Sequence, residues 1–540
     1  MSRSTVPVLP SSLKRRWYAV LPLVVVVGGV LIPLVYLLVR AGQADAAELW
    51  ALVVRGRTLR LLWNTVALTG GVLVLATALA FPLAWLTTRT SLRRLRWLPL
   101  VGVLPLAVPG YVMAYALLAA TGSYGTLSQL IGVAPERLSG YDGALLALSF
   151  GTYPYLFLNL RTAFQGIDPS LEESAQALGY SRWQTFRHVI LPQMRPGFLS
   201  GGLLVGLHVL GDFGVVSLMR FETFSYALYL QYTASYDRIY AACLALMLLA
   251  LTGAVLFLEA RLLKGVLLHR TGTGTKRRAT AWPLGTWQWA SYGFIGGVAL
   301  LSVGIPVGSV LYWMADTAAS GLPWASLGAS LWASVSASAP AAVVAALLAL
   351  PVAYVGVRRP SPWTKGIERI AYLGYATPPL AFALALVVFT LQVTPILYQT
   401  LLLLVLAYAL HFMAEAIGPI RSALYQAPPN IEEAARSLGR TPFRAFWSVT
   451  FPLLQRGLLV SVAFVFLSAM KELPLTFLLS PIGFETLALN TWSFANEAMF
   501  AEAAPYALAI MAFSGLFVGL LLAQETERTA APAPKHTEPA

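Results

Sequence analysis

Charge is scarce in this chain. Only 11% of its 540 residues are charged, too few to cover a water-soluble domain of this size. Cysteine is scarcer still: the single Cys243 lies in an apolar run, can form no internal disulfide and reads as packing. No GxxxxGK[ST] phosphate loop is present; GTGTK at 272–276 has the wrong spacing and lies in a basic stretch. Ser-His-Asp, His-Glu-x-x-His and Cys-x-x-Cys constellations are missing as well. These absences argue against a soluble protein, a disulfide scaffold and an enzyme that works alone.

What the chain has is apolar length. Hydrophobic residues make up 58% of it, in blocks of about 20, enough to cross roughly 30 Å of hydrocarbon. Residues 21–39 carry no charge and follow Lys14, Arg15 and Arg16, as a signal peptide would. No small-residue cleavage site follows promptly and many more apolar blocks come later, so a retained first span is expected. Twelve spans are expected, near 17–39, 60–88, 97–120, 143–163, 197–219, 239–262, 289–314, 328–357, 367–390, 399–419, 456–480 and 501–523. With a cytoplasmic N-terminus, most Lys and Arg fall on the cytoplasmic side. Only Arg40, Arg55, Arg57, Arg60, Arg137, Arg220 and Arg238 lie opposite, and Lys471 lies inside a span. The net charge of +14 therefore reports topology, with both termini cytoplasmic, rather than a nucleic-acid partner.

The chain is internally duplicated. IPLVYLL (32–38) resembles IPVGSVL (305–311), and FPLAWLTTR (81–89) matches LPVAYVGVR (350–358) at an offset of 269. EESAQALG (172–179) matches EEAARSLG (432–439) at an offset of 260. Polar loops match along with apolar runs, so shared hydrophobicity does not explain the likeness. The expected organisation is a first repeat at 1–265, a basic linker at 266–288, a second repeat at 289–523 and a disordered tail at 524–540. Six spans per repeat make the two parallel, with a pathway between similar bundles.

Between the fourth and fifth spans of each repeat lies a polar segment, at 168–197 and 428–457. Each reads as helix, turn, helix. Ser170 with Glu173, and Asn430 with Glu433, have the spacing of capping boxes. Leu171, Ala175 and Leu178, matched by Ile431, Ala435 and Leu438, follow at helical spacing. Gly179 and Gly439 suit a left-handed C-terminal turn. Ser181 with Gln184, and Thr441 before Pro442, open the second helices. Their stripes are Trp183, Phe186 and Val189, and Phe443, Phe446 and Val449. Pro192 and Pro452 are expected to end those helices. Two such knobs suit docking to a two-fold partner.

These segments resemble the EAA loop of ABC importer permeases, with Glu173-Ser174-Ala175 and Glu433-Ala434-Ala435 at the eponymous positions, then Gly179 and Pro192, Gly439 and Pro452. Ser174 departs from the usual alanine, one small residue for another. The resemblance covers nearly the whole chain. It implies an all-α integral membrane fold of two parallel six-helix repeats, each knob a coupling helix seated on a cytoplasmic ATPase subunit. ATP-driven closure of two ATPases, paired as a homodimer, would then swing the bundles. ATP and Mg would bind the partner, with no cofactor on this chain. LSGG (199–202) looks like the start of an ATPase signature, but its place in a span reads as small residues for helix packing.

Ionisable residues inside spans are functional candidates. The fifth span of the first repeat carries His208 and Asp212, and its counterpart carries Lys471 and Glu472. Asp212 and Glu472 share the offset of 260, so two carboxylates could meet near the axis; the bland reading pairs Lys471 with either one to hold the bundle. His208 and His411 read as packing or gating residues, and no metal ligand set is evident. The stretches LGDFGVVSL…FETFSYALY (210–229) and KELPLTFLLSPIGFETLALNTW (471–492) resemble fused ferric iron permeases, with thiamine permeases as close relatives. Periplasmic loops of about 8–22 residues are too short to fold a receptor. A separate periplasmic or lipid-anchored binding protein would therefore deliver the solute across the bacterial inner membrane. A proton-coupled secondary transporter would need a carboxylate relay but no twinned knob, and a membrane scaffold would need neither.

Overall fold

The computed structural model describes residues 17–43, 45–95, 97–232, 238–263 and 281–530. The expected linker as far as residue 280, and the tail beyond Ala530, lie outside the described residues. The regular structure described is helical apart from one bridge between Thr90 and Trp282.

Among the described residues, eight helices are long and apolar enough to cross a membrane. They include Gly56–Arg89, Gly140–Gly166, Leu401–Gln426 and Phe443–Met470. Large apolar side chains such as Val74, Phe257 and Leu459 stand exposed on them. Such exposure costs a helix nothing when its solvent is hydrocarbon. Trp287, Trp324 and Trp363, all near helix starts, are also exposed, as tryptophans at a membrane interface are.

The twelve expected spans are not all straight. Those near 97–120 and 367–390 are bent pairs: Leu98–Ala107 meets Gly110–Ala120 at 96°, and Pro362–Ala376 meets Pro379–Val393 at 103°. Pro109 and Pro378 cause the breaks, because a residue preceding proline is pushed into extended backbone. Val108 (ψ 110°) and Thr377 (ψ 126°) have that conformation. The span near 197–219 also breaks, into Arg195–Gly211 and Gly214–Leu218. Its counterpart breaks between Met470 and Pro474. The last helix, Phe500–Ala530, has a shorter apolar part, Phe500–Leu516, and stays helical through the start of the expected tail.

Contacts divide the chain into two compact units that cut across the sequence repeats. One unit comprises residues 1–43 and 335–484. Within it the first helix, Trp17–Ala41, packs on Pro362–Ala376, Pro379–Val393 and Leu401–Gln426. Gly29 faces Leu410 closely, and Tyr36 meets Phe389 edge-on at 6.0 Å. The other unit comprises residues 44–334 and 485–540. There Ile305–Ser320 packs on Gly110–Ala120 and on Phe500–Ala530. Thr126 and Ser309 hydroxyls pair at 3.0 Å, and the Trp492 indole N–H donates to Ser217 at 2.9 Å.

Each unit contains the same close helix crossing. A Cβ at Gly197 would stand 2.8 Å from Ala163 Cβ and 3.2 Å from the Asn159 carbonyl oxygen. One at Gly457 would stand 2.7 Å from Ala423 Cβ and 2.9 Å from the Pro419 oxygen. Gly201, in the LSGG stretch, is equally tight against Leu156. Gly457→Ala is expected to cost about 1–3 kcal/mol by overpacking, seen as a lower melting temperature of the purified chain in detergent. Gly418→Ala, with open space around it, is the control. Equal melting of the two variants would show that the crossing yields freely.

Candidate functional site

Both polar segments fold as helix, tight turn, helix. The first knob has helices Pro169–Ala177 and Arg182–Thr185, the second Pro429–Ser437 and Pro442–Ala445. Gly179 (φ +89°) and Gly439 (φ +85°) are left-handed. The Tyr180 N–H reaches back to the Ala175 oxygen at 3.0 Å, and the Arg440 N–H to the Ala435 oxygen at 3.1 Å. This bond from the residue after the glycine to the last helical turn is the Schellman closure. Ser181 and Gln184 form the expected reciprocal cap, and Thr441 accepts from the Arg444 N–H at 3.4 Å.

Two local expectations need correction. Ser170 and Asn430 do not cap the first helices, which begin earlier, at Pro169 and Pro429. Asp168 caps the first knob, accepting from the Ser170 N–H at 3.0 Å, and Pro428, which offers no side-chain cap, precedes the second. Pro192 and Pro452 do not end their helices. A π-turn precedes each proline, Phe186–Ile190 and Phe446–Thr450. Its wider hydrogen-bond spacing accommodates a residue that has no N–H to give. The segment thus continues at once into the next span.

The glutamates of each knob face different ways. Glu173 and Glu433 are exposed, as are Ser174, Ala434, Gly179, Gly439, Pro192 and Pro452, whereas Ala175 and Ala435 are buried. The inward carboxylates are Glu172 and Glu432, one residue earlier. Arg89 Nη1 donates to Glu172 at 2.5 Å, and its Nη2 donates to the Phe164 carbonyl at 2.8 Å. The two side chains are only 3% and 9% exposed. Burial holds the Glu172 carboxyl above the usual carboxylate range, with Arg89 pulling the other way. Among the described residues no guanidinium takes that place in the second knob. Tyr354 and Thr450 hydroxyls donate to the two Glu432 oxygens at 2.7 and 3.0 Å, and Arg358 donates to the Ala427 carbonyl at 2.7 Å. Each carboxylate thus latches its knob to the end of a long helix, Gly56–Arg89 or Trp324–Arg358.

The apolar residues of the knobs divide. Phe186 packs on Phe81, Trp85 and Trp183, and Phe446 on Tyr354, Trp447 and Phe451. Leu178 and Leu438, at the tips, are 81% and 86% exposed, and Trp183 and Phe443 stand out beside them. These large apolar side chains stand exposed on otherwise polar segments.

The intramembrane candidates have local roles. Asp212 accepts from the Val215 and Val216 N–H groups at 2.9 and 3.3 Å, and Glu472 accepts from the Leu475 N–H at 3.1 Å. Each carboxylate caps the short helix after its break, supplying an acceptor where the backbone lacks one. Lys471 interacts with Glu415, an acid overlooked in the sequence. Glu415 also accepts from Ser468 at 2.7 Å and bonds Tyr375. At the offset of 260 these positions hold Tyr155, His208 and Gly211. His208 is exposed with its ring 5.6 Å from that of Tyr155. The corresponding surfaces are therefore aromatic in one repeat and ionic in the other. His411 is buried among Tyr375, Phe382 and Phe412. Among the described residues no group of three His, Cys, Asp or Glu could hold a metal ion.

The family described as binding-protein-dependent transport system inner membrane component matches twice, at residues 80–267 and 338–525. The chain is 31% identical to the Fe(3+)-transport system permease protein FbpB 2 of Haemophilus influenzae, over 91% of this chain and 95% of that one. It is 24% identical to the ferric transport system permease protein FbpB of Actinobacillus pleuropneumoniae, over 77% and 64%. A molybdenum transport system permease protein, ModB of Azotobacter vinelandii, shares 32% over 27% and 66%. The chain belongs to the inner membrane components of binding-protein-dependent transport systems, as a multi-pass permease carrying the family's unit twice in one polypeptide.

Proposed function

We propose that this chain is the pathway-forming subunit of an ATP-driven importer of iron(III), with both termini in the cytoplasm. The observation that carries the reading is the pair of knobs, each with an exposed apolar tip held by a left-handed glycine and a buried carboxylate latch. Two copies of one docking element suit two ATPase subunits, on which ATP and Mg would bind. Lys471, Glu472, Asp212 and His208, with Glu415 added, are the candidates for contact with the passing solute. The iron assignment is supported by the similarity to ferric permeases along almost the whole chain. A periplasmic or lipid-anchored binding protein would deliver the ion.

The test is reconstitution of the chain in liposomes with its ATPase and binding protein, following labelled ferric iron and thiamine. ATP-dependent uptake of iron is expected. Uptake of thiamine alone would overturn the substrate, and uptake driven by a proton gradient without the ATPase would overturn the mechanism.

A further inference from the structure

The segment that leads into the second repeat is fastened to the first knob. The Trp282 N–H donates to the Arg89 carbonyl at 2.8 Å, and the Trp282 carbonyl accepts from the Ser91 N–H at 3.1 Å. These two bonds form the isolated bridge noted above. The Trp282 ring meets Trp85 edge-on at 5.0 Å, and Trp85 in turn meets Phe186 of the knob at 5.3 Å. On the knob itself, the Arg182 guanidinium lies over the Trp282 ring, 5.9 Å from its centroid, within the range of a cation–π attraction. Arg89 is thus held from two sides: its side chain by Glu172, its backbone by Trp282.

Among the described residues no segment pairs in this way with Arg358–Pro360, the matching end of the second repeat's helix.

We infer that Trp282 is a positioning residue for the first docking knob, clamping it against the helix Gly56–Arg89, so that the two knobs couple to the ATPase with unequal stiffness. The functional half of this inference rests on the proposed docking role; the clamp itself does not. A clamped knob passes displacement to its helix directly, whereas a knob held by its latch alone loses part of the stroke in its own motion. Trp282 contacts the knob and the end of the helix Gly56–Arg89, so its loss should change how much transport each ATP supports rather than solute affinity.

The experiment uses the full chain in lipid nanodiscs and, separately, in liposomes with its ATPase and binding protein. Amide hydrogen exchange over residues 169–190 is expected to rise on the order of tenfold in Trp282→Ala, with 429–450 unchanged. Arg182→Gln, which leaves the ring and backbone bonds in place, should give a smaller rise, and Trp282→Phe should restore most of the protection. In liposomes, iron carried per ATP should fall in Trp282→Ala at unchanged half-saturation by the loaded binding protein. Unchanged exchange at 169–190, or an equal rise in both knobs, would overturn the clamp. A local rise with iron per ATP unchanged would overturn its role in coupling. Failure of the wild type to couple uptake to ATP would instead overturn the proposed function, and the exchange result would still decide the clamp.

Discussion

Gly179→Val is expected to cut ATP-dependent uptake by about tenfold or more, and Gly439→Val to do the same through the other knob. Both glycines are left-handed, at φ +89° and +85°, and a side chain there costs roughly 1–2 kcal/mol, most for a β-branched residue. Nothing lies within 4 Å of a Cβ built at either position, so crowding contributes nothing and the backbone alone decides. Valine would drive the turn toward negative φ, break the Tyr180–Ala175 or Arg440–Ala435 closure, and swing Leu178 or Leu438 away from its place. Asparagine tolerates the left-handed region and should retain most of the activity. Uptake and ATPase co-purification, measured together, check the result. Full uptake by both valine variants would remove the turn from the mechanism.

Glu172→Ala is the second large effect expected. It leaves the Arg89 guanidinium, 3% exposed, without its anion, and breaking a buried pair in this way costs about 3–5 kcal/mol. Glu172→Gln keeps an acceptor and should lose less. Glu432→Gln should be milder still, because its partners are the hydroxyls of Tyr354 and Thr450, which an amide oxygen can satisfy. Retention of the ATPase on purification, together with uptake, separates these outcomes, and equal losses in Glu172→Ala and Glu432→Gln would refute the distinction. The pair also has a pH signature. Burial raises the affinity of Glu172 for a proton, so the folded state holds that proton more tightly than the unfolded one. Any stability gained from protonation is present at low pH and lost as pH rises through the raised value. Wild-type stability should therefore fall as pH rises through that value, and Glu172→Gln should flatten that limb.

The parts of this molecule legible in the sequence are those decided over a few residues. Gly179, Gly439 and the Ser181–Gln184 cap could be read because their partners lie within a turn. Which of the adjacent acids Glu172 and Glu173 faces inward depends on helix phase relative to Arg89, a side chain 83 residues away, and is not decided within a turn. Pro192 and Pro452 read as stops because an ordinary helix cannot absorb them, and only a π-turn removes the conflict. The bent spans escaped a reading based on hydropathy, which averages over Pro109 and Pro378. Glu415 carries a signal in the sequence, a lone carboxylate in the apolar helix Leu401–Gln426. The division into units was not readable: lipid and protein interiors are equally apolar, so an apolar face does not name its partner.

The packing of the first helix also bears on how the protein is made. Trp17–Ala41 leaves the ribosome early, yet the helices it rests on begin at Pro362. At about 10 residues per second, translation needs roughly half a minute to produce them. During that time the helix must wait in lipid, with Gly29 and Tyr36 uncovered. The helix Ile305–Ser320 has no comparable delay toward Gly110–Ala120, which is already synthesised when it emerges. Severing the gene at the linker would therefore leave the first product holding an anchor whose seat is encoded on the other.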